Sequence, residues 1–532
     1  MERVKIKPQS ALKILLILSM LLGLTIAFFS FTIGGIHFLS LGLFLTATPL
    51  IALLYLRRRK APGKLDLQLV ILVTHMYCLS IGNVETKKLF KAVASNREYE
   101  RYSRIFQSIL DVATRFGYGF AKAANLIASS LKPPIKDVLV RVSDAVFSKK
   151  PGEYLELEAN TLLEEYSGEY SRVIESIKVI GGVYSSILSV TSLALMVSSL
   201  MTIFVENPYM PLLSSLAAFT SMAVIVFGLK VLIPSEKTVY TGENPPRYYR
   251  LFKLAVLMMV ASLPLPLLLL LLGGFDAIPY SLLFAGGLAL IPGFMAYRFE
   301  SWVNELDKYY PTFLKTLGEN LSSTSSFTSA LSYLLYMELG PLKRLVKRAL
   351  ARLKLGVDLE KTMQLLASEA ASHQIYVFNR IFVESFRAGS QPLKVGKVLG
   401  NLVIRLLELR NRRRVVSRTF EVVVLVLQPI IVALLIILMT LSAFFSQLVT
   451  SLPFFALGRI PLELIKYEII FVVVFTVIIN SVSITIIRGG YRGMLLAYLG
   501  ILLIESGLAW IGAYKLMEVL FTQFAGGFQI PV

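Results

Sequence analysis

The stretch of residues 410–446 reads RNRRRVVSRTFEVVVLVLQPIIVALLIILMTLSAFFS. From Glu421 onward it is almost entirely apolar, and as an α-helix rising 1.5 Å per residue it is long enough to cross the hydrocarbon core of a membrane. The part before Glu421 is strongly basic, and basic residues beside an apolar span mark its cytosolic end. The arginine cluster in this basic part consists of Arg410, Arg412, Arg413 and Arg414. The stretch therefore predicts a membrane helix that enters the bilayer from a cytosolic segment.

The same order of segments occurs twice along the chain. Two apolar spans are followed by about 120 residues of cytosol-like composition and then by two more spans, and a ninth span follows the second copy. Such a repeat constrains the architecture before any single motif does. The predicted spans cover residues 11–31, 36–56, 179–204, 212–234, 254–273, 278–297, 421–446, 468–487 and 494–517. The sequence predicts an all-α polytopic membrane protein with about nine transmembrane helices and two cytoplasmic helical-bundle modules in tandem repeat.

These spans divide the chain into eight parts. Residues 1–56 hold transmembrane helices 1 and 2, 57–178 form cytoplasmic module 1, 179–234 hold helices 3 and 4, 235–253 form a cytoplasmic loop, 254–297 hold helices 5 and 6, 298–420 form cytoplasmic module 2, 421–517 hold helices 7 to 9, and 518–532 form an extracytoplasmic tail. Neither module shows the short alternating runs of a β-sheet, so each is expected to be a small helix bundle.

The composition is typical of a membrane protein, with 55% hydrophobic residues, 17% charged residues and a mean hydropathy of +0.68. A net charge of +20 can also indicate nucleic-acid binding. However, 49 of the 54 lysines and arginines fall on the predicted cytosolic side, and the opposite loops hold only Arg459 and Lys466. The positive-inside rule accounts for this excess. We therefore expect no nucleic acid partner, a cytosolic N-terminus and an extracytoplasmic C-terminus in the cytoplasmic membrane.

Catalytic motifs are missing from the sequence. A phosphate-binding loop needs glycines, a lysine and a hydroxyl at fixed spacing, and the nearest candidate, Gly396-Lys397-Val398, lacks the first glycine and the hydroxyl. The three histidines are far apart in sequence, so a metal site is not expected. We expect no enzymatic activity and no cofactor.

Glu505 is the one carboxylate that we place deep inside a predicted span. A buried ionisable group in a bilayer is costly and often functional, so a proton or ion role has to be considered. No second acid, histidine or arginine is predicted at a similar depth. We expect a packed carboxyl group bonded to a neighbour such as Asn480 or Ser506.

A basic stripe lies on a predicted amphipathic helix of module 2, between residues 342 and 353. The stripe consists of Lys343, Arg344, Lys347, Arg348 and Arg352. It could dock an acidic partner, and the arginines of residues 410–414 could extend that surface. The alternative to docking is that the stripe is only a solvated helix face. The four arginines would then serve only to set the orientation of the membrane helix. An acidic stretch of module 1, residues 153–169, could pair with the stripe or with another basic partner.

Small-residue turns recur at similar spacing in the two modules. Gly117 lies 239 residues before Gly356, and Gly152 lies 237 residues before Gly389. A glycine-rich or small-residue turn followed by a short helix start resembles the helical unit of the type II secretion F family. The segments that carry this resemblance are residues 117–124, 356–363 and 386–393. Module 2 opens instead with Ser322-Ser-Thr-Ser-Ser326, where the family commonly has a glycine.

Two such units on one chain, with extra membrane helices, resemble the archaeal archaellum or pilus version of this family. The resemblance implies an integral-membrane platform for filament assembly, which couples a secretion-type hexameric ATPase in the cytosol to pilin-like filament subunits. It also implies contact with membrane lipids and a homo-oligomer. The alternative is a secondary transporter built from parallel repeats. Such a transporter requires paired polar or charged groups near the bilayer midplane. A polytopic membrane enzyme is the third interpretation, and the missing catalytic motifs count against it.

Overall fold

The computed structural model of the protein describes residues 65–201, 222–234, 236–451 and 462–524. This part of the chain is helical and contains no β-strand beyond one isolated bridge. The helices before residue 274 are α1 (Leu67–Ser80), α2 (Thr86–Ser95), α3 (Arg101–Arg115), α4 (Phe120–Ser129), α5 (Ile135–Val146), α6 (Pro151–Met201), α7 (Met222–Leu232), α8 (Arg247–Ser262) and α9 (Pro264–Gly273). The helices after it are α10 (Ile278–Thr324), α11 (Phe327–Leu334), α12 (Leu342–Lys354), α13 (Leu359–Ala370), α14 (His373–Arg387), α15 (Pro392–Ser451), α16 (Leu462–Arg488) and α17 (Met494–Phe524).

The sequence determines several of the helix boundaries locally. Gly356 adopts a φ of +80° directly after α12, and the side chain of Asp358 then accepts hydrogen bonds from Glu360 N and Lys361 N to begin α13. Gly117 and Gly389 also have positive φ values. Gly152 instead lies in the first turn of α6, so it does not occupy the position of Gly389.

Five helical stretches among the described residues are long and apolar enough to cross a membrane. They are Pro151–Val190, Arg247–Thr324, Pro392–Phe445, Ile465–Arg488 and Met494–Phe521. The stretch from Arg247 to Thr324 holds two of the predicted spans. The first two predicted spans lie outside the described residues, and only residues 222–234 of the fourth are described.

Modules 1 and 2 share one apolar core. Its central element is α1, in which every residue from Leu69 to Ser80 is buried, so the helix is enclosed on all sides. The helix packs against α6 of its own module and against α14 of module 2, while α6 also packs along α15. The two modules therefore form one continuous helical body. A second apolar core joins the membrane-crossing helices.

The most extensive helix contact is between α10 and α17. It depends on glycines that let the two backbones approach closely. A Cβ atom on Gly286 would lie 2.7 Å from Ile504 Cγ1, and a Cβ atom on Gly293 would lie 2.5 Å from Ala497 Cα. Neither distance is tolerable for a methyl group, so glycine is required at this crossing.

Candidate functional site

The segment of residues 236–246, named the strap here, connects α7 to α8 across the surface of module 2. Tyr240 N donates to Ala371 O at 3.0 Å, and His373 N donates to Thr238 O at 3.1 Å, which forms the isolated bridge. The ring of Tyr240 stacks on that of Tyr376 with the centroids 3.8 Å apart. The strap is thus fixed to the start of α14 by backbone hydrogen bonds and by an aromatic contact.

The strap also reaches module 1. Lys237 Nζ lies 2.6 Å from Glu100 Oε1, and Glu98 Oε2 lies 3.1 Å from Nε2 of His373 in module 2. The hydrogen bond from His373 holds the pKa of the Glu98 carboxyl below its ordinary value, against the opposing effect of burial. The strap and the two modules therefore meet at a set of polar contacts.

His75 forms a polar link inside the shared apolar core. The side chain is fully buried on α1, and its Nδ1 lies 3.0 Å from the Tyr99 hydroxyl. Its Nε2 lies 3.1 Å from Glu384 Oε2 on α14, and Arg380 Nε donates to the other oxygen of Glu384 at 2.7 Å. Burial alone would raise the pKa of Glu384, but His75 and Arg380 together hold it below its ordinary value. This link fixes α1 against α14.

A second polar cluster lies where the modules meet the membrane helices. Arg410 on α15 donates to Glu236 of the strap at 3.1 Å, to Asp307 on α10 at 3.4 Å and to Gln374 on α14 at 2.9 Å. The Arg410 side chain is only 14% exposed. A buried cation is tolerated only when it is paired and hydrogen-bonded, and Arg410 meets both conditions. It connects four separate segments of the chain.

The arginines that follow Arg410 complete this cluster. Arg413 donates to the carbonyls of Ile486 and Ile487 at 2.8 and 3.0 Å, at the C-terminal end of α16, where a helix has unpaired carbonyl groups and attracts a cation. Arg414 donates to Asn304 on α10. The cluster surrounds a cavity of about 30 Å³, enough for about one water molecule.

Of the four arginines predicted to extend the docking surface, three therefore form contacts within the protein instead. Arg410 and Arg413 are buried or nearly so, and Arg414 is half-buried. Arg412 is exposed. The positive-inside rule explains why the residues are basic, but their pairing depends on contacts that are distant in sequence.

The basic stripe lies on α12, as the sequence indicates, with its apolar side buried. Lys343, Arg344 and Lys347 are exposed and have no carboxylate within 4.0 Å among the described residues. Arg348 Nη1 lies 3.4 Å from Glu369 Oε2, and Arg352 donates to the other oxygen of Glu369. The stripe thus splits into three free cations and two that pair with Glu369.

The acidic stretch of module 1 pairs locally instead of with the stripe. Arg141 holds Glu158 at 2.9 Å, and Lys150 holds Glu153 at 2.8 Å. No ion pair joins this stretch to the stripe in the described part of the chain. The pairing of the acidic stretch with the basic stripe, one of the two possibilities raised by the sequence, is therefore not formed among the described residues.

The interior of the membrane helices holds a polar cluster centred on Gln428. Its Nε2 donates to Thr476 at 3.1 Å and to Ser506 at 3.2 Å, and its Oε1 accepts from Asn480 at 2.7 Å. Tyr184 donates to Asn480 at 2.5 Å. These bonds satisfy groups that have no water partner in a bilayer.

The predicted bond of Glu505 to Asn480 or Ser506 is therefore wrong, because both residues bond to Gln428 and neither bonds to Glu505. Glu505 Oε2 has no hydrogen-bond partner among the described residues. Glu468 on α16 was missed, since the predicted span begins at that residue. It is 7% exposed and neither of its carboxylate oxygens has a hydrogen-bond partner in the described chain. Among the described residues no group of His, Cys, Asp and Glu could hold a metal ion.

Comparison with known proteins agrees with the resemblance stated above. Residues 313–442 match the family of type II secretion system (T2SS) protein F. The chain is 25% identical over 492 residues to flagella accessory protein J of Methanocaldococcus jannaschii, covering 88% of this chain and 87% of that protein. It is 22% identical over 376 residues to flagella accessory protein J of Methanococcus voltae, covering 68% and 67%. No solved structure matches significantly. These matches confirm the resemblance to this family and to archaeal flagella accessory protein J, and the matched family segment includes α11 to α14, Arg410 and Gln428.

Proposed function

We propose that the chain is a non-enzymatic, integral-membrane platform for the assembly of an archaellum-like or type IV pilus-like filament. The family match and the similarity to flagella accessory protein J along most of the chain support this proposal. The single structural observation that carries it is α15. This helix has 60 residues, or about 90 Å at 1.5 Å per residue, and it continues from the core of module 2 into the membrane without a break.

The platform acts as a mechanical connection in this proposal. A motion imposed on module 2 moves α15, and the Arg410 cluster ties that helix to α10, to α14 and to the strap. Pilin-like subunits are held or guided by the membrane helices, several of which expose large apolar side chains such as Leu257, Leu272 and Phe471. The cytosolic modules receive the motion from a secretion-type hexameric ATPase.

The two modules are tandem copies in this proposal, within nine membrane spans and with the N-terminus in the cytosol. Among the described residues each module contains six helices, if α10 is counted with module 2, and the last of these is a long apolar helix, α6 or α15, that could cross the membrane. Gly117 and Gly356 each stand three residues before the fourth helix of their module. The order of the helices supports duplication better than the weak sequence motifs do.

The ATPase docks on the exposed part of the basic stripe. Lys343 and Lys347 are four residues apart on one face of α12, and no carboxylate among the described residues lies within 4.0 Å of either. The variant Lys343→Glu/Lys347→Glu should retain less of the cognate ATPase in a pull-down at low salt. Since exposed ion pairs contribute only about 0–1 kcal/mol each, a single reversal should have little effect. The loss should shrink as salt rises.

A matched control is available on module 1. Lys87 and Lys91 have the same spacing on α2 and are also exposed. The variant Lys87→Glu/Lys91→Glu carries the same change of net charge and should retain the ATPase. Unchanged retention by the stripe variant, or equal loss in both variants, would exclude docking on the stripe.

The alternative function is transport, and Glu468 and Glu505 are its candidate residues. Each lies in an apolar helix and has a carboxylate oxygen with no hydrogen-bond partner among the described residues. The two helices are consecutive and pack together. Glu468 is 20 residues from the end of α16, whereas Glu505 is 11 residues from the start of α17. At 1.5 Å per residue the two carboxylates differ in depth by about 14 Å. They do not form the paired midplane site that a transporter of this type needs.

A further inference from the structure

An open cleft of about 730 Å³ lies between the first turn of α8, the middle of α10 and the exposed side of α12. We name it the basic cleft. Its lining includes Arg247, Arg250, Arg344, Arg348, Tyr248 and Trp302. The cleft lies where α8 and α10 leave their apolar spans, which the sequence places at residues 254–273 and 278–297. It is therefore at the level of the membrane surface and on the side of the modules.

Three of the four arginines in the cleft are not neutralised by any described residue. Arg247, Arg250 and Arg344 have no carboxylate within 4.0 Å among the described residues. Glu369 is the one acid in the lining, and it is already paired with Arg348 and Arg352. Several guanidinium groups around one space favour an anion such as a phosphate, which they can bind through two parallel hydrogen bonds.

The aromatic residues of the cleft supply a further donor. The ring centroids of Tyr248 and Trp302 are 6.2 Å apart. The indole Nε1 of Trp302 is buried and has no hydrogen-bond partner in the described chain. A buried donor of this kind ordinarily has an acceptor, and a ligand in the cleft would provide one. Tryptophan and tyrosine are also the residues that concentrate at the headgroup level of a membrane.

An apolar track leads out of the cleft along α8. Leu251 lines the cleft, and Leu254 and Met258, which follow it at helical spacing, are 54% exposed each. A free phosphate or an acidic protein surface would make no use of this track. A lipid would, because its headgroup and its acyl chains need a basic pocket and an apolar surface side by side.

We propose that the basic cleft binds the headgroup of an anionic phospholipid, with its phosphate between Arg247, Arg250 and Arg344 and its acyl chains along α8. Trp302 Nε1 donates to a headgroup oxygen. The bound lipid joins α8 to α12 and so connects the membrane surface to module 2. This proposal depends on the membrane location of the chain and not on the docking of the ATPase.

The fluorescence of Trp302 gives a direct test. The chain has two tryptophans, so the variant Trp510→Phe leaves Trp302 as the only one. The full-length variant is reconstituted in phosphatidylcholine vesicles that contain either brominated phosphatidylglycerol or the same fraction of brominated phosphatidylcholine. We expect stronger quenching by the anionic lipid. Equal quenching by the two lipids would refute the proposal.

Two further variants locate the effect. In the same background, Arg247→Gln/Arg250→Gln should weaken the response to phosphatidylglycerol by about 25-fold, because each basic side chain near an anionic surface contributes roughly fivefold in affinity. Lys343→Gln/Lys347→Gln, which changes two cations of α12 outside the cleft, should leave it unchanged. The circular dichroism spectrum of each variant in detergent shows that it has folded.

The remaining outcomes separate lipid from other anions. If inorganic phosphate reverses the quenching at constant ionic strength, the cleft binds a soluble anion and the lipid proposal fails. If the arginine variant keeps the full preference for phosphatidylglycerol, the cleft is not the site. ATPase retention by the arginine variant is measured in parallel, so that a failure of the lipid site and a failure of the docking proposal can be told apart.

Discussion

The replacement Glu384→Ala tests whether the polar link between α1 and α14 holds the two modules together. It removes the hydrogen bond from Arg380 at 2.7 Å and the contact with His75 at 3.1 Å. Hydrogen bonds to charged groups contribute roughly 1.5–3 kcal/mol, and Glu384 is 25% exposed, so we expect a loss of about 2 kcal/mol. A change of that size makes local opening roughly 30-fold more frequent.

Cys78 reports this opening. It is the only cysteine of the chain, it is fully buried on α1, and burial raises the pKa of its thiol, so it reacts with a maleimide only when the core opens. The rate of Cys78 modification in the full-length protein should therefore rise roughly 30-fold in Glu384→Ala. Glu384→Gln, which keeps an acceptor for Arg380, should give an intermediate rate.

The matched control is Glu153→Ala, since Glu153 forms an exposed pair with Lys150 that contributes little. An unchanged rate in Glu384→Ala, or an equal rise in the control, would refute the reasoning.

The pH dependence of stability gives a second check. Because the pKa of Glu384 is lowered, its stabilising effect is present above the usual carboxyl pKa and is lost as the pH falls through the lowered value. Wild type and Glu384→Gln should converge there in thermal stability.

Three other predictions follow from the packing, the charges and the topology. Gly286→Ala should lower the melting temperature in detergent, at a cost of about 1–3 kcal/mol for overpacking against α17, whereas Gly287→Ala, whose Cβ would meet nothing within 4 Å, should not. Arg410→Met should cost about 3–5 kcal/mol in the same assay because it leaves the Asp307 carboxylate buried without an ion-pair partner among the described residues. Glu236 keeps Arg413 at 3.8 Å, and Arg412→Met should cost little because Arg412 is exposed. Single cysteines at the exposed positions Tyr118 and Leu355, in a Cys78→Ser background, should react with an impermeant reagent only after the cells are permeabilised; labelling in intact cells would reverse the proposed orientation.

The features that depend on local sequence could be predicted. The helix over residues 342–353 is confirmed as Leu342–Lys354, because its apolar residues recur at helical spacing. The positive φ values of Gly117 and Gly356 occur where small-residue turns were expected. The third, sixth, seventh, eighth and ninth predicted spans likewise lie in long helices where the structure describes them. The fifth, residues 254–273, is instead divided at Leu263 between α8 and α9.

The polar links could not be predicted, because each joins residues that are distant in sequence. A single histidine in the apolar helix α1 gives no indication that its partner is Glu384 in the other module. Arg410 looks like a topology signal beside a span, and nothing local connects it to Glu236 of the strap. The bond expected for Glu505 is not formed; Asn480 and Ser506 bond instead to the amide of Gln428, which donates to one and accepts from the other.

The positions of these links bear on how a motion could pass from the modules to the membrane. Apolar contacts are not directional, whereas hydrogen bonds and ion pairs fix particular atoms of one helix against particular atoms of another. Arg410 and Arg413 supply such contacts, because each bonds to other elements at the level where α15 enters its apolar span. Arg413 in particular holds the C-terminal carbonyls of α16, so in the proposed platform a displacement of module 2 would be passed to α15 and α16 together. Neutralising Arg413 should therefore uncouple the modules from the membrane helices while leaving the proposed ATPase-docking surface on α12 intact.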